Sequence, residues 1–185
     1  MTRSLWRSLW FEGKSCNRAL TASTPNGCSI PFRRRGAHDQ LKTMGYEPSR
    51  VYEGGFQFQK HYFGAKPGEL TEKTAEGRIT EEFHCAQFLD GLAQVQFWVR
   101  NLPRKSTSFR LQTSKDWFYP DFLCQLMDGR SLAVEYKGKH LFDGVDAEEK
   151  RAVGEVWATR SKGRCLFVMP TDVDFSRVMS VLERG

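Results

Sequence analysis

The chain has 185 residues, of which 39% are apolar, 13% aromatic and 27% charged. This is enough to bury a core and unlike the composition of a disordered chain. No apolar run approaches the roughly 20 residues of a membrane span, and the N-terminal Trp6, Leu9, Trp10 and Phe11 are too interrupted for a secretory signal, so the expected location is the cytoplasm. The net charge of +6 is unevenly placed: residues 1–60 carry 10 Lys/Arg against 4 Asp/Glu, whereas residues 61–185 carry 18 of each. A generally basic surface is therefore excluded for the latter, and any nucleic-acid binding would rely on local groups, a metal and the basic arm.

Residues 1–45 have poor hydrophobic periodicity, with a Ser/Thr/Asn/Gly/Pro cluster around residues 21–27 and a charge run at Arg33, Arg34 and Arg35. They read as a poorly ordered basic extension, with the Arg run as a candidate DNA contact. Aromatics then become frequent over residues 51–63, where Phe56 and Phe58 alternate with Gln as in a half-buried strand. Residues 64–77 read as a polar connection.

Thr80 is placed to cap a helix over residues 81–92, with Cys85, Phe88, Leu89 and Leu92 forming its apolar stripe. Val95, Phe97 and Val99 alternate with Gln96 and Trp98 as in a strand, and residues 108–111 read as another. Two strand-like runs, 119–127 and 131–137, flank Asp128-Gly129, a strong hairpin signal. Residues 146–149 have the form of a capping box opening a helix to about residue 160, with Val153, Val156 and Trp157 on its inner face, ended by Lys162-Gly163. Residues 165–169 read as a strand buried on both faces, and residues 174–183 as a final helix. This order predicts an α/β domain with a mixed central sheet flanked by helices. The five cysteines are odd in number and lack CxxC spacing, which points to reduced thiols and away from a zinc site.

The chemistry-bearing residues are Asp121, Glu135 and Lys137. Two residues apart in a strand, Glu135 and Lys137 share one face, while Leu132, Val134 and Tyr136 point into a core. A solvated strand face is the plain alternative for such a pair taken alone. The hairpin adds Asp121, and turn length decides on which face. A two-residue turn puts Asp121 opposite Tyr136, pointing away from Glu135. A three-residue turn of Asp128, Gly129 and Arg130 puts it opposite Lys137, on the right face. Pro120 suits the bend at the strand start. Two carboxylates and a lysine so arranged can hold Mg2+ and assist a water attack on a phosphodiester.

Pro120-Asp121 followed after thirteen residues by Glu135-Tyr136-Lys137 resembles the PD-(D/E)xK nuclease superfamily. With residues 81–86, 98–102, 116–122, 134–138 and 149–157, the chain is similar, over about residues 50–170, to the C-terminal endonuclease domain of type III restriction enzyme Res subunits. The resemblance implies a restriction-endonuclease-like fold over residues 46–185 and Mg2+-dependent cleavage of DNA. Asp121 and Glu135 would be the metal ligands, Lys137 would act on the water, and either Glu81 or Glu82 would contribute from the first helix. No GxxxxGK[ST] motif is present and the chain is too short for the ATP-driven motor that Res subunits carry before the nuclease, so it reads as a detached C-terminal piece, a truncated product or a stand-alone nuclease, with a helicase or translocase, or a modification subunit, as a candidate partner. Lys139 and Lys150 are further candidate DNA contacts, Lys150 because a cation in a first helical turn opposes the dipole. His61 and His84 read as ordinary hydrogen-bonded histidines, and Trp117, Phe118 and Tyr119 as core residues. A catalytically silent DNA-binding or helicase-docking module is the alternative function.

Overall fold

The computed structural model describes residues 46–138 and 144–183. The basic arm with Arg33, Arg34 and Arg35, and also Lys139, lie outside the described residues. The elements are α1 (Glu81–Gly91), β1 (Val95–Arg100), β2 (Leu111–Gln112), β3 (Trp117–Phe118), β4 (Phe122–Leu126), β5 (Ser131–Val134), α2 (Val145–Arg160), β6 (Cys165–Val168) and α3 (Ser176–Glu183). Four strands form a mixed sheet in the order β1-β4-β5-β6, antiparallel except for the parallel β5–β6 pair, and β2–β3 is a separate hairpin. The expected mixed α/β architecture is present. No described helix is long and apolar enough to cross a membrane.

Alternation along the central strands divides the core in two. Phe122, Cys124 and Leu126 of β4 with Leu132 and Val134 of β5 face the side packed by α1 and α3, where Phe83, Cys85, Leu89, Val178 and Leu182 meet them. Leu123, Ala133 and Phe167 face the other side, against Val153 and Trp157 of α2. Helices therefore cover both sheet faces, as expected. Gly154 makes the α2 approach possible, since a Cβ there would lie 2.4 Å from the Phe167 ring.

Helix α1 begins as read: the Thr80 side chain accepts from Phe83 N–H at 3.2 Å. Its last turn receives the Lys60 ammonium on the Leu92 carbonyl, a favourable place for a cation. Helix α2 departs from the expectation. It starts at Val145 with Gly144 as N-cap and no side-chain cap bond. Asp146 lies inside the first turn and binds Lys150 Nζ at 2.6 Å. Val156 is exposed at 47%, not on the inner face.

Two strand expectations fail for identifiable reasons. The alternating stretch 56–59 does not form a strand. The N–H groups of Gln59 and Lys60 donate to the buried Asp90 carboxylate (2.9 and 2.8 Å), which also accepts from Trp98 Nε1 at 2.8 Å. Residues 108–110 are likewise outside β2, where the Asn101 side chain takes both the N–H and the C=O of Phe109. A third correction concerns β1. The register shifts between Val95 and Phe97, so Trp98 and Arg100, not Phe97 and Val99, share the α1 side with Val95. Residues 64–77 are less polar in role than expected, with Pro67 and Leu70 buried.

Two stability measurements follow from this packing. Gly154→Ala should gain about 1 kcal/mol of helix propensity yet lose roughly 1–3 kcal/mol by overpacking against Phe167; denaturant unfolding should therefore show a net loss, and a raised midpoint would refute the close approach. His61 is buried, with Nδ1 2.8 Å from the Gly64 carbonyl and its ring 4.7 Å from that of Trp98. Burial pushes its pKa from 6.5 down to about 4, against the pull of the Gly64 carbonyl and Asp90. The unfolded chain therefore takes up a proton that the folded one refuses. Stability should be unaffected by this group above pH 6.5, fall as the pH drops towards 4, and level off below, a change on the order of 3 kcal/mol. Unfolding titrations should show a shallower acid limb in His61→Gln; an unchanged limb would rule out this role.

Candidate active site

The β4–β5 ladder pairs Phe122 with Val134 and Leu123 with Ala133. Continued one step, this register would set Asp121 opposite Glu135. The connecting loop has three residues, Met127, Asp128 and Gly129, closed by Leu126 N–H to the Arg130 carbonyl at 2.9 Å. Gly129 has φ +89°, the left-handed position that such a loop assigns to glycine. The Asp128 carboxylate secures the turn by accepting from Arg130 N–H at 2.9 Å. The expected three-residue turn is thus present but begins one residue earlier. The register then points to Glu135, not Lys137, as the residue opposite Asp121, whose side chain turns out of the ladder to meet Tyr136 N–H and Arg100.

Beyond Val134 the chain stays extended by pairing on one side only. Glu135 N–H donates to the Val168 carbonyl at 3.1 Å and Lys137 N–H to that of Pro170 at 3.2 Å. The intervening Tyr136 N–H points the other way and donates to Asp121 Oδ2 at 2.8 Å. The Asp121 side chain thus takes the place of a ladder acceptor, and the bend after Pro120 brings it there. The Tyr136 ring enters the α1-side core, where its hydroxyl donates to Glu81 Oε2 at 3.2 Å and accepts from Val173 N–H at 3.0 Å.

Glu135 is 5% exposed, and its Oε1 lies 2.9 Å from Lys137 Nζ. Burial, followed by the Asp121 charge, pushes the Glu135 carboxyl well above the usual carboxylate range, against the pull of Lys137 and Lys150. For Lys137, burial favours the neutral amine, but Glu135 and then Asp121 outweigh it and raise the pKa, so the side chain is an ammonium.

Arg100 was not among the candidates. One guanidinium nitrogen donates to both oxygens of Glu82 at 3.1 Å; the other donates to Asp121 Oδ1 at 2.9 Å and to the Asp121 carbonyl at 3.0 Å. Its side chain is only 9% exposed, and its face lies 5.0 Å from the centre of the Phe122 ring. Burial opposes its charge, yet Asp121 and Glu82 keep its pKa above the usual value. Burial raises the pKa of Glu82, with Arg100 opposing and Asp121 assisting. This geometry separates the two first-turn acids: Glu82 joins the Asp121 cluster, whereas Glu81 meets the Tyr136 hydroxyl at its edge. Asn101 is the second unforeseen residue. Buried at 2%, it donates from Nδ2 to the carbonyls of Phe109 (2.9 Å) and Pro120 (2.8 Å), while its backbone N–H donates to the Asp121 carbonyl at 2.9 Å. It fixes the bend that aims Asp121. A lone Arg-Asn pair at the end of an alternating strand gives no sign of this role without the β1 bulge.

Lys150 is not a free cation: Asp146 answers its dipole misfit, and its Nζ lies 5.8 Å from the Phe118 ring centre. Phe118 is buried, and Trp117 and Tyr119 are half-buried. Cys85 and Cys124 are buried free thiols, and Cys165 is a half-buried one.

Among the described residues no group of three or more His, Cys, Asp or Glu side chains is set to hold a metal ion. The carboxylates expected to hold an ion are Asp121 and Glu135. That pair does not suit a tetrahedral nitrogen–sulfur metal. It fits a hard ion such as Mg2+, which takes one or two carboxylates and keeps much of its water. In comparison with known proteins, no family model matches this chain, and no curated protein sequence matches it.

Proposed function

We propose that the chain is a Mg2+-dependent DNA endonuclease domain of the PD-(D/E)xK kind, similar to that of type III restriction Res subunits. The observation that supports this most is that Lys137 Nζ lies 2.9 Å from Glu135 Oε1 while Tyr136 N–H, between them in the chain, donates to Asp121 Oδ2 at 2.8 Å, which brings the three residues to one end of the sheet. Asp121 and Glu135 would hold the ion, which when bound supplies Lewis-acid stabilisation of the phosphate and a more nucleophilic water. The Lys137 ammonium would orient that water by hydrogen bonding and offset charge gathering on the phosphate oxygens. Arg100 and Tyr136 N–H fix the Asp121 carboxylate before any ligand arrives, and Glu82 in turn fixes Arg100.

The second reading, a silent nuclease fold that binds DNA or docks a helicase, is favoured by one observation: both Asp121 oxygens already accept hydrogen bonds from the protein. Plasmid cleavage separates the two. With Mg2+ the purified chain should nick or cut plasmid, EDTA should stop it, and Asp121→Ala, Glu135→Ala and Lys137→Ala should each reduce the rate by about 100-fold or more while DNA binding persists. Cleavage that survives EDTA and these substitutions would overturn the assignment; binding without any cleavage would favour the silent module.

Arg100 gives an independent check on the cluster. Arg100→Ala leaves Glu82 and Asp121 without their shared cation. Glu82 is one-third exposed and can find water, so the loss should fall near the lower end of the range for a broken buried pair, roughly 3 kcal/mol. Denaturant unfolding measures it, and a loss indistinguishable from zero would mean that the cluster does not hold the site together.

A further inference from the structure

Between Asp90 and Asp116 the chain has no acidic residue, but it has Arg100, Arg104, Lys105, Arg110 and Lys115. Arg100 is consumed by the buried cluster. The other four lie in residues 102–115, the loop after β1 and the β2 strand with its turn. This local imbalance stands out because residues 61–185 as a whole are neutral.

The segment is built, not loose. Ser108 Oγ donates to the Leu102 carbonyl and accepts from Lys105 N–H at 2.9 Å, while Ser108 N–H donates to the Lys105 carbonyl at 3.1 Å. These bonds close a turn whose outer side carries exposed Arg104 and half-buried Lys105. Among the described residues neither side chain forms an ion pair. The Arg110 guanidinium lies over the Trp117 ring, 4.3 Å from its centre, which holds it on the hairpin.

Its location ties it to the candidate site. At its base, the Asn101 side chain binds Phe109 and Pro120, next to Asp121. At its far end, Ser114 N–H donates to Glu149 of α2 at 2.6 Å, one residue before Lys150, whose charge acts on Glu135. The acids bordering the patch are Asp116, Glu149 beside Lys115, and Asp146, which is engaged by Lys150.

We propose that residues 102–115 form the surface that holds the phosphate backbone of duplex DNA beside Asp121 and Glu135, with Arg104, Lys105 and Lys115 as its point contacts. The inference rests on the nuclease reading for the ligand's identity. A rigid cationic loop suits a regularly charged polyanion, and such contacts make binding depend on salt through release of counterions.

The test measures binding of a fluorescent duplex by the full chain in EDTA, so that cleavage plays no part, between about 50 and 200 mM salt. The variant Arg104→Asn, Lys105→Gln, Lys115→Gln removes three charges, with Asn chosen because residue 104 has φ +60°. Its log–log salt slope should be shallower by about two to three, and its affinity at the lowest salt should fall at least tenfold, with unchanged circular dichroism. Wild-type slope and affinity in the variant would overturn the inference, as would a wild-type chain that binds no duplex. If the wild type cleaves and the variant binds undiminished, the inference fails while the nuclease reading stands. If the wild type binds with the expected slope and never cleaves, the nuclease reading fails and this surface stands.

Discussion

The buried Arg100 guanidinium is the constraint around which the site is assembled. It ties the first turn of α1, through Glu82, to two strand ends that the backbone ladder already pairs: the end of β1, where it sits, and the entry to β4, through Asp121. A cation this buried is tolerable only because two carboxylates, a carbonyl and an aromatic face receive it. The dependence runs both ways, since without Arg100 the two acids would face each other at the end of the sheet. Such a cluster contributes less to net stability than its Coulomb attraction suggests. Its stronger effect is to admit one arrangement, because the fork of the guanidinium fits two acceptor groups only in a narrow range of geometries.

Two irregularities in the sheet put these groups in place. The β1 bulge inserts one residue near Gln96 and thereby turns Trp98 and Arg100 towards α1. Without it, Phe97 and Val99 would occupy that side and Arg100 would face away from Glu82. The Met127-Asp128-Gly129 loop does the corresponding work for β4 and β5. A two-residue loop would have set Asp121 opposite Tyr136 and reversed its side chain. A one-residue change in either place therefore inverts a functional side chain while leaving the hydrophobic composition of the strands untouched.

This explains what could be read from the amino acids and what could not. Helix α1 was legible because its signals are local: Thr80 reaches its own first turn, and Cys85, Leu89 and Leu92 repeat at helical spacing. The hairpin and the face shared by Glu135 and Lys137 were legible for the same reason. The stretch 56–59 was not, because a carboxylate some thirty positions away, Asp90, takes the Gln59 and Lys60 N–H groups that a strand would have offered to a neighbour. Residues 108–110 were lost from β2 in the same manner, through the bonds of Asn101 to Phe109. Arg100 was hidden for a further reason: at the end of an alternating strand a charge reads as solvent-facing, and only the bulge reverses this. Long-range side-chain bonds to backbone and single-residue register shifts leave no periodic trace, so local reading identified the acids but not the cation that arranges them.

The occupied oxygens of Asp121 bear on what the site can still bind. Each carboxylate oxygen has two acceptor positions, so one bond from Arg100 to Oδ1 and one from Tyr136 N–H to Oδ2 orient the group without saturating it. In metal sites generally, ligating carboxylates are themselves hydrogen-bonded by outer partners, and that support sets their direction. Arg100 and the Tyr136 N–H are placed for that part. Glu135 differs: it is more deeply buried, its Oε1 is engaged by Lys137, and burial together with the Asp121 charge raises its pKa. A carboxyl in that position is stabilised as an anion by any further positive charge between it and Asp121. In the proposed nuclease this divides the work. Asp121 is oriented in advance by groups outside the site, whereas Glu135 and Lys137 remain the pair whose mutual contact must adjust when an ion enters.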